Sequence, residues 1–270
     1  MKKPLCFVGF LVLVLAARVP LWGYDTSPSW LQIVPEAIYA PATGGGTWAT
    51  DVQITNFGSV PADIYAYFAY NGGTTGPIAL YQSLPTYHSV EYAYILGAID
   101  SADPGPLTYF GHVGAVWFVT QNETAKIQVQ AMTVNGNYGK SAPALNLVTL
   151  NTAAVGRPMI LQHLVQNDVY RTFVGVHNTS TTETFTVQFV IVSAINTTIG
   201  SVFSKTLPPL AYLSFNPFKE AGVPTQICAN CWLQIQPTAG GTGPNGVMCY
   251  GSIANNYTND TYALIARMYN

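Results

Sequence analysis

The side chains able to do chemistry in this chain are few and widely spaced. Four histidines, His88, His112, His163 and His177, stand far apart in 270 residues that carry only 10 basic and 12 acidic side chains. Nucleophilic catalysis needs Ser or Cys beside a positioned His and an acid, and no Gly-x-Ser-x-Gly elbow is present. His88-Ser89-Val90-Glu91 brings a base and an acid close in sequence, and a secreted hydrolase would have to converge on that pair. A carboxylate pair for glycoside cleavage would draw on Asp51, Glu91, Asp100 and Asp103, which have no matching acids in the second half. Asp100-Ser101-Ala102-Asp103-Pro104-Gly105 offers two hard oxygen ligands, few for a calcium ion that takes about six to eight. An Asx turn before Pro-Gly is the simpler reading. The residues therefore assign no catalytic group, no cofactor and no metal.

Cysteines and tyrosines carry the remaining signals. Cys228-Ala229-Asn230-Cys231 lacks the second Cys pair or nearby His that would complete a zinc tetrahedron. With Cys249 it leaves two disulfide options: Cys228 with Cys231, or one of them with Cys249. Either leaves one thiol over. Tyr65, Tyr67 and Tyr70 fall in one strand-like stretch, with Tyr92 and Tyr94 close by. Such a row suits a partner protein or a sugar ring, and these five form the candidate interaction surface. Asn122, Asn178, Asn196, Asn256 and Asn259 each begin an Asn-x-Ser/Thr triplet and mark surface loops.

The elements that must position these groups are strands. Only 8% of the residues are charged, against about 25% in ordinary domains, and Thr, Asn, Gln and Tyr supply the polarity instead. Apolar residues alternate: Ala62, Ile64, Ala66 and Phe68 point one way, Asp63, Tyr65 and Tyr67 the other; later Phe185, Val187, Phe189 and Ile191 repeat the pattern. Turn signals such as Asn71-Gly72-Gly73 and Asn135-Gly136 separate the runs. Helix is confined to one turn near Phe218–Gly222 and a counterpart near Tyr92–Ile99. With no basic cluster beyond Lys2-Lys3, nucleic acid is excluded as a partner.

The chain also says nearly the same thing twice. Thr50-Asp51-Val52-Gln53-Ile54-Thr55-Asn56 returns as Thr172-Phe173-Val174-Gly175-Val176-His177-Asn178, 122 positions on. Leu84-Pro85 returns as Leu207-Pro208 after 123, and Gln130–Asn135 as Tyr250–Asn255 after 120. That period suits a small domain and exceeds any solenoid repeat. The expected fold is all-β, two tandem immunoglobulin-like β-sandwich domains after an N-terminal signal segment. The boundaries are 1–23 for the signal peptide, 30–142 for the first sandwich, 143–156 for a connector that could add a strand, and 157–270 for the second. Lys2-Lys3 before the uncharged apolar run from Leu5 to Ala17 has the form of a secretory signal, too short to span a bilayer. Membrane contact is then confined to export, and the product is secreted, extracellular or at the cell surface, the periplasm included.

Gly45-Gly46-Thr47-Trp48-Ala49-Thr50-Asp51-Val52, Asn137-Tyr138-Gly139-Lys140-Ser141 and Tyr250-Gly251-Ser252-Ile253-Ala254-Asn255-Asn256-Tyr257-Thr258-Asn259-Asp260 resemble a bacterial family of exported tandem β-sandwich modules. Its members occur alone or appended to secreted enzymes such as peptidases. The resemblance spans about residues 30 to 265. It implies no catalytic residue, and the chain departs from the family at Ala49 and Tyr257, usually Arg, and at Asn255, often Asp. The function expected is a non-catalytic structural, adhesive or assembly role toward protein or glycan at the cell surface, self-assembly included. Carbohydrate binding through the tyrosines and the secreted hydrolase are the alternatives.

Overall fold

Alternation of period two, carried through both halves, decides the architecture. A computed structural model describes residues 25–269 apart from 43–44, 72, 104–108, 137, 150–151, 226, 244 and 259–260. The signal segment lies outside the described residues. The first half forms β1 (Leu31–Pro41), β2 (Thr47–Asn56), β3 (Ala62–Tyr70), β4 (Gly73–Leu84), β5 (Ser89–Tyr92), α1 (Ile95–Ala102), β6 (His112–Thr120), β7 (Ile127–Asn135), β8 (Tyr138–Pro143) and β9 (Leu145–Asn146). The second half forms β10 (Met159–Gln166), β11 (Tyr170–Asn178), β12 (Phe185–Val192), β13 (Thr198–Leu207), β14 (Tyr212–Phe215), α2 (Pro217–Glu220), β15 (Cys228–Ala239), β16 (Val247–Asn255), β17 (Thr261–Ile265) and β18 (Arg267–Met268).

The two sets correspond element for element. In the first, β4-β3-β6-β1 lie side by side, β2 is flanked by β5 and β7, and β8 pairs with β7. In the second, β13-β12-β15-β10 and β14-β11-β16-β17 repeat both orders. Even the last short strands match, β9 on β1 and β18 on β10. The connector thus does contribute a strand, and Leu145 is buried there. Each helix falls between the fifth and sixth strands of its set, α1 a little later in the chain than the run Tyr92–Ile99 suggested.

The second set closes two separate sheets on a core of its own, whereas in the first β1 also pairs with β2 at Tyr39–Ala49 to Pro41–Thr47, so that its strands form one continuous sheet around its core. Ile64, Ala66, Phe68, Val116, Phe118 and Ile54 are buried in the first; Val187, Phe189, Ile191, Leu233, Ile235 and Val176 in the second. Apolar side chains at alternate positions withdraw from water on one face only, the main driving term.

The repeated motif has a structural meaning. Asn56 and Asn178 are fully buried. The Asn56 carboxamide donates to the carbonyls of Val60 and Leu84 at 2.8 and 3.0 Å and accepts from Gly58 N at 2.8 Å. Asn178 donates to Glu183, Leu207 and Pro208 carbonyls at 2.7, 3.0 and 2.8 Å and accepts from Ser180 N at 2.9 Å. In both copies one amide ties the turn after the second strand to the Leu-Pro corner after the fourth. The surface position expected for the Asn178 triplet is therefore corrected: a side chain that satisfies buried carbonyls cannot also face water.

A second duplicated device sits on the first strands. β1 has a register shift between Val34 and Ala37, and β10 between Leu161 and Leu164. A bulge leaves backbone groups outside the ladder. Thr50 Oγ1 takes the Ile38 N–H at 2.9 Å, and Thr172 Oγ1 takes that of Val165 at 3.0 Å.

Asn178→Ala strands three carbonyls in the second copy and is expected to lower the free energy of unfolding by about 3 kcal/mol. Chemical denaturation of the variant checks it, and an unshifted midpoint would show the carboxamide to be dispensable.

Candidate functional site

The outward face of β11, β14 and β16 is not solvated. β16 is buried on both faces from Val247 to Ala254, where simple alternation predicts only one. Tyr212, Met248 and Tyr250 join Ile33, Ala69, Ala115 and Leu145 of the first repeat in one apolar cluster, with Val113 and Trp117 against it. The outer face of the β4-β3-β6-β1 sheet thus docks on the outer face of β14-β11-β16-β17. Gly175 provides the seat for the Tyr250 ring, which a Cβ at that position would overlap.

Three polar contacts sit in this seam. Trp117 Nε1 donates to His177 Nε2 at 2.9 Å, and the other ring nitrogen lies 3.1 Å from the Ala211 carbonyl. Since indole only donates and a carbonyl only accepts, the imidazole is neutral with its proton on Nδ1. Burial pushes its pKa down to about 4. Lys140 forms a buried ion pair with Glu36, which the β1 bulge carries, and its Nζ donates to Ser252 Oγ at 2.8 Å. The Tyr212 and Tyr250 hydroxyls bond to each other, and burial raises both pKa values.

Register shows how the copies diverge to make this contact. The cross-strand pairs Phe173–Ser252, Gly175–Tyr250 and His177–Met248 of the docked face correspond to Asp51–Met132, Gln53–Gln130 and Thr55–Gln128 in the first repeat. On the other side, Tyr65–Val119, Tyr67–Trp117 and Ala69–Ala115 correspond to Gln188–Gln236, Val190–Gln234 and Val192–Trp232 in the second. The positions that bind the other repeat are apolar, aromatic or small. Their counterparts are largely amides, acids and threonine.

Two recesses border the seam. One, about 270 Å³, is lined by Glu36, Lys140, Arg171, Ser252, Trp48 and Thr261 among others. Arg171 there lies over the Phe173 ring at 5.5 Å and donates to Asn256 Oδ1 at 2.7 Å. The other is a groove of about 260 Å³ lined by Trp30, Leu31, Tyr67 and Trp117 of the first repeat and by Thr181 and Leu210 of the second, among others. It runs on over Val119 into a hollow of about 190 Å³ beside Tyr65, Pro77 and Gln121. Thr74 Oγ1 donates to the Leu210 carbonyl at 3.3 Å, tying the two repeats together at its edge.

The five tyrosines do not share one surface. Tyr65 and Tyr67 line the groove, and Gln121 Nε2 donates to Tyr65 Oη at 2.7 Å. Tyr70, three residues beyond Tyr67, falls on the inner face and stacks on Phe68 at 5.2 Å. Tyr92 is half-buried, its hydroxyl donating to the Leu80 carbonyl at 2.9 Å, and desolvation raises its pKa to about 12. Tyr94 is exposed at the start of α1 and stacks on Tyr39 at 6.0 Å. What sequence reasoning missed are Trp30, Trp117 and His177. The signal for the last was His177 in place of Thr55.

Cys228 pairs with Cys231, and Cys249 is a buried thiol whose pKa burial raises. The His88 ring bonds the Thr86 carbonyl at 3.0 Å, and Glu91 accepts from Gln53 at 2.9 Å, so each has a partner of its own. Asp103 accepts from Thr75 and Tyr109 hydroxyls at 3.2 and 2.9 Å. Residues 104–108, the rest of that turn, lie outside the described residues. Among the described residues no three or more His, Cys, Asp or Glu side chains gather into a metal-sized group, and no helix is long and apolar enough to cross a membrane. Comparison with models of known families, with curated proteins and with solved structures finds no match to this chain.

Two outcomes follow for the seam. The unfolded His177 titrates near 6.5 and the folded one near 4, so between those values the unfolded state takes up the extra proton. Stability falls as pH drops through that window, by about 3 kcal/mol in all. Denaturation across pH checks it, with His177→Gln losing that slope. For the ion pair, Glu36→Ala leaves Lys140 buried without its partner and is expected to cost about 3 to 5 kcal/mol. Glu36→Leu with Lys140→Met should cost much less, and equal losses in the two variants would refute this account.

Proposed function

We propose that this chain is a non-catalytic exported protein of two tandem immunoglobulin-like sandwiches that works by contact at or beyond the cell surface. The observation that carries this reading is the groove of Trp30, Tyr67, Trp117 and Tyr65 at the junction of the repeats. These rings are half-buried, and an apolar recess left open to water is a common mark of an interaction site. Trp117 is held by His177, so binding needs little ordering of its ring.

The immunoglobulin-like assignment rests on two pairings that each repeat retains. Second strand beside fifth and third beside sixth are the B–E and C–F neighbours of that fold. The first strand lies beside the sixth and the seventh beside the second, so the edges are exchanged relative to the immunoglobulin order. Export is supported by the apolar run after Lys2-Lys3 and by a disulfide, a bond at home in oxidising compartments. The resemblance to exported tandem modules points the same way.

Labelled full-length protein is expected to bind intact cell envelopes or extracellular matrix, and Trp30→Ala with Tyr67→Ala to lose at least tenfold in affinity. Binding unaltered by that pair of substitutions, or none to any such surface, would overturn the proposal.

A further inference from the structure

The groove also says what kind of molecule it takes. None of its lining residues carries a formal charge at neutral pH: aromatic rings, aliphatic side chains, threonines, Pro77 and Gln121 make up both hollows. A charged ligand would lose its hydration there without gaining a counter-charge. A neutral ligand is selected.

Few hydrogen-bonding groups line the groove. Trp30 Nε1 and the Tyr67 hydroxyl have no protein partner among the described residues, and Gln121 presents an amide beside Tyr65. Aromatic rings with hydrogen-bonding groups among them complement a molecule with apolar faces and hydroxyl groups. That is the description of a pyranose ring. The two hollows share Tyr67 and Val119 and so adjoin, which suits successive rings of a chain better than one compact solute.

From this we infer that the groove binds a neutral glycan chain, with Trp30, Tyr67 and Trp117 as stacking platforms and Gln121 as a polar contact. The inference rests on the groove being the contact surface proposed above, and it adds the ligand class. It also makes the site a product of both repeats: Thr181 and Leu210 contribute to its lining, and His177 acts as a positioning residue by fixing the indole of Trp117.

Native affinity electrophoresis of the full chain through soluble β-glucan, mannan, galactomannan, xylan and starch, with alginate as the charged comparison, tests it. At least one neutral polymer is expected to retard the protein and to shift its tryptophan emission, while alginate does not. Trp30→Ala and, separately, Tyr67→Ala should weaken retardation at least tenfold with a melting curve that shows folded protein, and Tyr94→Ala should leave it unchanged. His177→Gln should weaken it less and restore affinity in no other polymer. Retardation that survives both Trp30→Ala and Tyr67→Ala, or none by any neutral polymer, overturns the inference. Envelope binding that is lost in those variants yet not competed by any neutral polymer would refute the glycan and leave the contact surface standing. A Pro-rich peptide that competes in place of the polymers would show the groove to be a peptide site.

Discussion

Everything at the junction depends on one contact, the indole of Trp117 donating to a neutral, buried imidazole at His177. It joins the third and sixth strands of one repeat to the second and fifth strands of the other. Desolvation keeps the ring uncharged, and an uncharged ring is the only form that can accept from the indole while donating to the Ala211 carbonyl. The same bond sets the plane of an aromatic ring in the groove beside it. Fold, docking and candidate binding surface therefore meet at a single hydrogen bond.

Around it the seam follows ordinary packing rules. Large groups of the second repeat meet small ones of the first: Tyr212, Met248 and Tyr250, whose ring lies over Gly175 of its own sheet, against Ala69 and Ala115. The buried Lys140–Glu36 pair adds directional contact where the apolar cluster gives way to a recess. A buried charge pair adds little net stability, but it penalises any other way of seating the sheets. The β1 bulge that places Glu36 there has its counterpart in β10, so a feature of the shared fold was adapted to a task in one copy only.

Much of this fold was legible in the residues. Strict alternation in β3 and β12 gave the inner faces correctly, and the duplicated Asn and Leu-Pro turn out to be parts of one buried network, the duplicated Thr part of another. The candidate surface was legible only in part. Tyr65 and Tyr67 were found because they alternate with core residues, whereas Tyr70 was misplaced for ignoring that same alternation. Docking of the sheets was not visible because it depends on positions that a lone sandwich would leave in water. The clue was there in Met248-Cys249-Tyr250-Gly251, a run with no polar alternate, but a continuous apolar strand does not name the surface that covers it.

The seam joins two different faces of two similar units. Such a head-to-tail contact has no inherent stopping point, because each unit added presents again the face that received it. In this chain the corresponding faces differ from the docked ones in composition. The face of the second repeat that corresponds to the docked Tyr67–Trp117 side offers Gln188, Gln234 and Gln236 beside Val190, Val192 and Trp232, and the face of the first that corresponds to the docked Gly175–Tyr250 side offers Asp51, Gln53, Gln128 and Gln130 beside Met132. Divergence between the copies thus makes the two outer faces chemically unlike the two that meet.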